Sequence, residues 1–217
     1  MDVLVTGGTG YIGLRLVDAL SRRGHRVRVL ARRDSLQRVP SGADAIEGNA
    51  LDTESIAAAL RPADTLVHLV GTPHPNPSKA AEFERVDLLS IRAAAAAARE
   101  RDVAHLVYVS VAQPAPAMRA YVAARAAGEA AIRDAGLAAT LVRPWYVLGP
   151  GHWWPILLLP GYLLLEQIPS TRETAKRLGL VTLRQMVNAL VAAVESPPSV
   201  GKQRVVDVAA IRAARPR

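Results

Sequence analysis

The segment Val3-Leu-Val-Thr-Gly-Gly-Thr-Gly-Tyr-Ile-Gly13 constrains the fold of this chain more than any other stretch. Its apolar run ends in Gly7, Gly10 and Gly13. A helical pattern of Tyr11, Ile12, Leu14, Leu16, Val17 and Leu20 begins at once. A strand, a tight turn and a helix in that order predict an α/β fold whose first turn is a dinucleotide site. Gly7 permits a sharp exit from the strand, and Gly10 lets backbone N–H groups approach a pyrophosphate. Gly13 lets the helix lie close to the strand. The helix N-terminus adds partial positive charge. Thr9, Tyr11 and Ile12 lie in the same loop and are assigned to the cofactor with it.

Short apolar runs alternate with helical patterns along the rest of the chain. That alternation predicts a doubly wound, mostly parallel sheet of Rossmann type with helices on both faces. The expected strands are 2–6, 26–31, 43–47, 64–70, 104–110 and 138–143. The expected helices are 11–23, 53–61, 79–101, 117–136 and 182–195. Gly24 and Gly136 are placed to stop the helices 11–23 and 117–136. The run Ala93–Ala98 reads as a close-packed helix, since alanine is the best helix former. Residues 1–151 are expected to form the NAD(P)-binding domain. Residues 152–217 are expected to add a small C-terminal cap, a closing helix and a strand at 203–208 within the same structural domain. A chain of 217 residues suffices for one good core with a small appendage.

Composition removes several classes of function. There is no cysteine, so disulfides and thiolate metal sites are excluded. The net charge is +8, but the arginines are scattered and not interleaved with aromatics, which argues against nucleic-acid binding. His68 sits in an apolar strand and reads as a core residue. His74 and His152 lie in Pro-rich loops without further ligands at metal-site spacing, so no metal is expected. The N-terminus is a core strand and not a signal peptide, and a cytoplasmic location is expected. Five of the nine aromatics fall at Trp145, Tyr146, Trp153, Trp154 and Tyr162. The apolar stretch around them is too short to span a bilayer and is broken by Pro160-Gly161. Two readings of it stay open. Trp145, Tyr146, Trp153 and Trp154 line an apolar substrate pocket, or residues 153–165 meet a partner subunit or a membrane surface. Homo-oligomer formation is left open.

The residue that reads the adenosine ribose is expected at the end of the second strand. Here that strand runs into Arg32-Arg33, and two guanidiniums suit a 2′-phosphate. NADP(H) is therefore preferred, with NAD(H) as the alternative because Asp34 lies one residue further on. On the predicted helix 117–136, Tyr121, Arg125 and Glu129 share one face at i, i+4 and i+8. Ser110 ends the preceding strand.

With the glycine loop, these residues resemble the short-chain dehydrogenase/reductase superfamily, in its extended and atypical, NmrA-like branches. There a serine follows the fifth strand and a helix carries Tyr-x-x-x-Lys, often continued by x-x-x-Glu. Leu141-Val-Arg-Pro-Trp-Tyr-Val-Leu-Gly-Pro-Gly151 is similar to the branch's segment bordering the nicotinamide, which implicates Pro144 and Val147. Gly48-Asn-Ala-Leu-Asp52 is similar to the segment beside the adenine, which implicates Asn49 and Ala50. Val70, the last residue of the fourth expected strand, and Gly71 after it complete the implied cofactor contacts. The resemblance covers residues 1–151 and fades beyond.

The resemblance implies hydride transfer between a nicotinamide and a small hydrophobic carbonyl, alcohol or enone. Tyr121 is then the proton donor or acceptor, Ser110 holds the substrate oxygen, and Arg125 binds the nicotinamide ribose and stabilises the phenolate. A phenol is a weak base at neutral pH unless a fixed cation stabilises its anion. Arg125 replaces the family's lysine; it keeps the charge but cannot pass on a proton. Glu129 is placed to draw Arg125 into an i,i+4 pair. Asp87 stands where the family has an asparagine, and Asn49 where it has an aspartate. Two alternatives follow: a non-catalytic NADP(H)-binding sensor or assembly module, and an epimerase or dehydratase with bound NAD.

Overall fold

A computed structural model describes residues 1–61, 64–151, 156–157, 160 and 167–215. Nine strands occur among them: β1 (Asp2–Thr6), β2 (Arg26–Ala31), β3 (Asp44–Glu47), β4 (Thr65–His68), β5 (His105–Val109), β6 (Ala139–Val142), β7 (Tyr146–Leu148), β8 (Leu180–Thr182) and β9 (Gln203–Val206). Seven form one sheet in the order β3-β2-β1-β4-β5-β6-β9, and every pairing is parallel. The strands β7 and β8 form a separate parallel pair. The sheet is the expected doubly wound one. Its order reverses between β1 and β4, so the crevice for a ligand opens there.

The helices are α1 (Tyr11–Arg22), α2 (Thr53–Ala59), α3, α4 (Arg119–Asp134), α5 (Pro169–Arg177), α6 (Leu183–Glu195) and α7 (Val208–Ala213). Helix α3 begins as Ala80–Glu82, passes through a π segment at Phe83–Leu88 and continues as Leu89–Glu100. Local chemistry explains several ends. Asp52 accepts the Ser55 N–H and starts α2, and Thr182 and Gln185 form a reciprocal capping box at α6. Gly24 has φ +79° and closes α1, with its N–H on the Ser21 carbonyl and the His25 N–H on that of Leu20.

The inner strands β1, β2, β4, β5 and β6 are largely buried on both faces, as a parallel sheet covered by helices requires, while the edge strands β3 and β9 are more open. Val3, Val5, Val27 and Val29 face α1 and α6, packing with Leu16, Leu20, Met186 and Leu190. Leu4, Leu30, Leu66 and Leu106 face α2, α3 and α4, with Ile56, Ile91 and Ile132. The alanine run packs there: Ala93, Ala94, Ala95, Ala97 and Ala98 are buried. A buried Arg28 in β2 is neutralised by Asp64 and donates to the Ala59 carbonyl.

The expected elements are found with their ends trimmed by one or two residues. The sequence pattern does not predict the β7/β8 pair, α5 or α7. Three-residue strands and short helices carry too little periodic signal to stand out. Among the described residues no helix is long and apolar enough to cross a membrane.

Two histidines lie inside the sheet. His68 bonds Thr6 Oγ1 through Nδ1 at 2.8 Å and Ser90 Oγ through Nε2 at 3.1 Å. It is the satisfied core residue its setting implied. His105 bonds Thr140 Oγ1 at 3.0 Å. Burial, aided by the Arg125 charge, pushes His68 down to about 3; burial, aided by Arg204, pushes His105 down to about 4. Both rings are therefore neutral in the folded protein near pH 6, whereas the unfolded chain takes up these protons below about 6.5. The unfolded state binds more protons in that window, so stability falls as pH drops from about 6.5 toward 4. Urea unfolding at pH 6.5, 5.5 and 4.5 should show this slope. His68→Gln should flatten it by up to about 1.4 kcal/mol per pH unit, the value of one proton.

Candidate active site

The candidate site residues converge because all seven strands point the same way. Loops 7–13, 32–33, 48–52, 69–72, 110–113 and 143–149 leave the C-terminal ends of β1, β2, β3, β4, β5 and β6, so they share one edge of the sheet.

The glycine loop is closely packed. Gly7 has φ +76°, and a Cβ there would lie 2.9 Å from the Leu69 carbonyl carbon and 3.0 Å from Val70 N. A Cβ on Gly13 would lie 2.3 Å from the Gly7 carbonyl oxygen. Only hydrogen fits at these positions. Gly10 is the N-cap of α1, makes no side-chain cap and bonds its N–H to the Gly7 carbonyl. First-turn N–H groups of a helix have no acceptor one turn back, and in α1 these belong to residues 11–13. They form a cradle for an anion. The Tyr11 side chain runs toward the far loop: a Cβ on Gly149 would lie 2.2 Å from its hydroxyl.

Arg32 and Arg33 are both well exposed at the exit of β2. Arg33 Nε donates to Glu47 at 2.9 Å, and Arg32 lies 3.8 Å from Asp34. Asn49 Oδ1 accepts the Leu51 N–H at 3.0 Å, and Ala50 packs on the α2 side of the core.

At the other end, Tyr121 and Arg125 of α4 meet the π segment of α3. The Tyr121 ring lies 5.0 Å from that of Phe83, and Arg125 Cζ is 5.2 Å from the centroid of the Tyr121 ring. Arg125 is 5% exposed. Its Nη2 is ion-paired with Asp87 Oδ1 at 2.6 Å, though not in hydrogen-bond alignment. Its Nη1 donates to the Val109 carbonyl at 2.9 Å, with longer contacts of 3.4 Å to the Val70 carbonyl and the Tyr108 hydroxyl. Asp87 is fully buried, and its Oδ2 accepts from the Thr72 N–H at 3.0 Å and the Thr72 hydroxyl at 2.6 Å. Burial opposes the charge on Arg125, but the Tyr121 and Tyr108 phenols and the Asp87 carboxylate around it outweigh that cost, so its pKa is raised and it stays charged. Burial likewise raises Tyr108, against the pull of Arg125.

Glu129 does not pair with Arg125. It binds Arg143, whose Nε donates to Oε1 at 2.9 Å, and it accepts from Gln113 at 3.0 Å. The two acids divide the two arginines: Asp87, across the helix interface, takes Arg125, and Glu129 ties α4 to the exit of β6. An ordinary i,i+4 pair loses to these buried partners because a surface-type pair contributes only a few tenths of a kcal/mol.

Ser110 is 2% exposed, and its Oγ has no hydrogen-bond partner among the described residues. Pro144 is buried, its carbonyl accepting the Ala112 N–H, and Val147 lies in β7. Trp145 packs on the core and meets Tyr146 edge-on at 5.7 Å. Trp153 and Trp154 lie outside the described residues. A cavity of about 380 Å³ beside this loop is lined in part by Gln113, Arg143, Glu173, Lys176 and Asp207. A groove of about 490 Å³ runs along α1 and α6, near Arg15, Ala19, Leu148 and Val187, away from the Tyr121–Arg125 pair.

Sequence reasoning does not single out Thr72, Phe83 or Tyr108. The only trace they leave is the i,i+4 spacing of Phe83 and Asp87, which matches that of Tyr121 and Arg125.

The NAD(P)H-binding family matches residues 7–149 of this chain. Ceramide reductase of Caulobacter vibrioides is 30% identical over 199 residues, covering 90% of this chain and 61% of that protein. The 2-alkyl-3-oxoalkanoate reductase of Stenotrophomonas maltophilia is 27% identical over 181 residues, covering 70% of this chain and 52% of that protein. The chain thus spans less than two thirds of the length of either relative. A solved structure of a short-chain dehydrogenase/reductase superfamily protein from Agrobacterium tumefaciens with bound NAD superposes with a TM-score of 0.69 at 18% identity, covering 98% of this chain and 81% of that one. At that identity the superposition establishes the shared fold.

Gly71 tests how tightly the cluster is built. A Cβ there would lie 2.1 Å from Arg125 Nη2 and 3.1 Å from Asp87 Oδ1. Arg125 is held on several sides and has no room to yield. Gly71→Ala should therefore cost about 1–3 kcal/mol, the usual penalty for overpacking. Thermal denaturation should show it as a loss of several degrees.

Proposed function

The chain belongs to the NAD(P)H-binding family, and on that premise we propose that it is an NADP(H)-dependent oxidoreductase of atypical short-chain type. Its substrate is a small apolar carbonyl, alcohol or enone. The observation that carries this reading is the placement of Tyr121 and its buried cation on the same sheet edge as the glycine cradle. The reductase names of the two relatives support it, and a 2-alkyl-3-oxoalkanoate offers a keto group beside an alkyl branch.

The residues present fit the cofactor. The Gly7–Gly13 turn aims the helix N-terminus at a pyrophosphate, and a Cβ would fill the space at Gly13. We assign Arg32 and Arg33, exposed at the exit of β2, to the 2′-phosphate. Ser110 Oγ, buried and without a partner among the described residues, supplies an orphaned polar atom at the reacting end. When bound, the nicotinamide supplies or accepts a hydride. Tyr121 gives a proton to the substrate oxygen, or takes it back, and Ser110 orients that oxygen by a hydrogen bond. Arg125 stabilises negative charge on the phenol as it forms, from 5.2 Å beneath its ring.

A second reading, a non-catalytic NADP(H)-binding module, is favoured by one observation. Arg125 is committed to Asp87 and two backbone carbonyls, so it is neither a proton relay nor a free clamp on the nicotinamide ribose.

Two measurements test these readings. Titration with NADPH and NADH should show tighter binding of NADPH. Arg32→Ala with Arg33→Ala should weaken NADPH by about 10–100-fold while leaving NADH nearly unchanged, as expected for lost charge-assisted phosphate contacts. NADPH oxidation should be followed with a panel of ketones, enones and quinones. Turnover that falls at least 100-fold in Tyr121→Phe supports the enzyme, whereas tight NADPH binding with no oxidation supports the module.

A further inference from the structure

Two helices face each other across the reacting end, each presenting two residues at i,i+4. The π segment of α3 presents Phe83 and Asp87, and α4 presents Tyr121 and Arg125. Phe83 meets Tyr121, ring to ring at 5.0 Å; Asp87 meets Arg125, charge to charge at 2.6 Å. A π segment widens the helix by one residue and is common where a helix is shaped for a site. Here it brings a carboxylate against Arg125, the cation that lies under the Tyr121 ring.

We propose that Asp87 is a positioning residue that neutralises Arg125 in place, so that the phenol of Tyr121 faces an ion pair and not a free cation. This deepens the oxidoreductase reading, because it fixes how much electrostatic help the proton donor receives. The inference rests on three features of the geometry. Asp87 is fully buried and is held by Thr72 through two hydrogen bonds, so its charge is fixed in position. Arg125 is placed by the Val109 carbonyl and by the tight fit against Gly71 as well as by Asp87, so its position does not depend on the carboxylate alone. Both charges lie in a low-dielectric interior, where a full charge about 5 Å from a phenol acts strongly and a compact pair acts weakly.

The other groups around the cluster do not replace this control. From β4, His68 is neutral, held by Thr6 and Ser90. From β5, Tyr108 is a buried phenol touching Arg125. One turn along α4, Glu129 is matched by Arg143. From the loop after β4, Thr72 is an uncharged donor to Asp87. Asp87 is thus the carboxylate paired with the cation beneath Tyr121 among the described residues.

The test reads the phenol directly and needs no substrate, so it stands or falls apart from turnover. The full chain is labelled with tyrosine carrying 13C at Cζ, and the Tyr121 resonance is assigned by its loss in Tyr121→Phe. Its titration midpoint is then followed by NMR. Removing the nearby negative charge favours the phenolate, so Asp87→Asn should lower the midpoint by at least one pH unit. The double variant Asp87→Asn with Arg125→Met removes both charges of the pair and avoids a buried cation without a partner, which Asp87→Asn alone leaves behind. It should titrate within about half a pH unit of the wild type. A midpoint unchanged in folded Asp87→Asn, or one that rises by a unit or more in the double variant, overturns the proposal. If Asp87→Asn does not fold, the double variant decides alone, against Arg125→Met, which should lie higher than both. If the midpoints behave as stated but no substrate is turned over, the ion-pair account stands and the oxidoreductase reading fails.

Discussion

One buried guanidinium holds the Tyr121 end of the candidate site together. Arg125 touches the exits of β4 and β5 through the Val70 and Val109 carbonyls, the π segment of α3 through Asp87, and the ring of Tyr121 on its own helix. Burying a charge is costly unless it is paired and hydrogen-bonded, and each of these contacts offsets part of that cost. The requirement then spreads outward. Gly71 has no side chain because the guanidinium fills its space, and Thr72 turns back to hold Asp87. Gly128 leaves room for Tyr108. The geometry around Tyr121 follows from pairing one buried cation with protein groups.

The glycine loop imposes the corresponding constraint at the other end. Its backbone lies so close to the start of α1 and to the exit of β4 that side chains at Gly7 and Gly13 have no space. That closeness leaves the helix N-terminus without a side-chain cap and turned toward the crevice where the strand order reverses. The two ends are joined through the core. Thr6, at the last position of β1, bonds His68, which bonds Ser90, whose hydroxyl meets the Asp87 carbonyl. A polar line thus connects the glycine loop to the residue that neutralises Arg125.

Much of this is legible in the sequence. Strands such as Val3-Leu-Val and Leu106-Val-Tyr carry continuous apolar runs, and Gly24 and Gly136 mark helix ends, because burial and backbone conformation are local properties. The cofactor loop, Ser110 and the Tyr121–Arg125 spacing are likewise visible, since each lies within one short segment. The partner of Arg125 is not. Asp87 is 38 residues away in sequence, and choosing between it and Glu129 depends on which helix face meets which, a matter of tertiary packing. The local i,i+4 pair is the natural expectation, and Glu129 instead binds Arg143 across to β6. The π segment that delivers Asp87 has no periodic signature of its own, and three-residue strands such as β7 and β8 are too short to show one.

The central claim is that one molecule of NADPH bridges these two ends. A crystal structure of the chain with NADPH tests it most directly. The account predicts the pyrophosphate against the N–H groups of residues 11–13, the 2′-phosphate within reach of Arg32 or Arg33, and the nicotinamide ordered beside Ser110 and Tyr121 with Arg125 still on Asp87. A pyrophosphate bound elsewhere, or a nicotinamide ordered away from Tyr121, would contradict it.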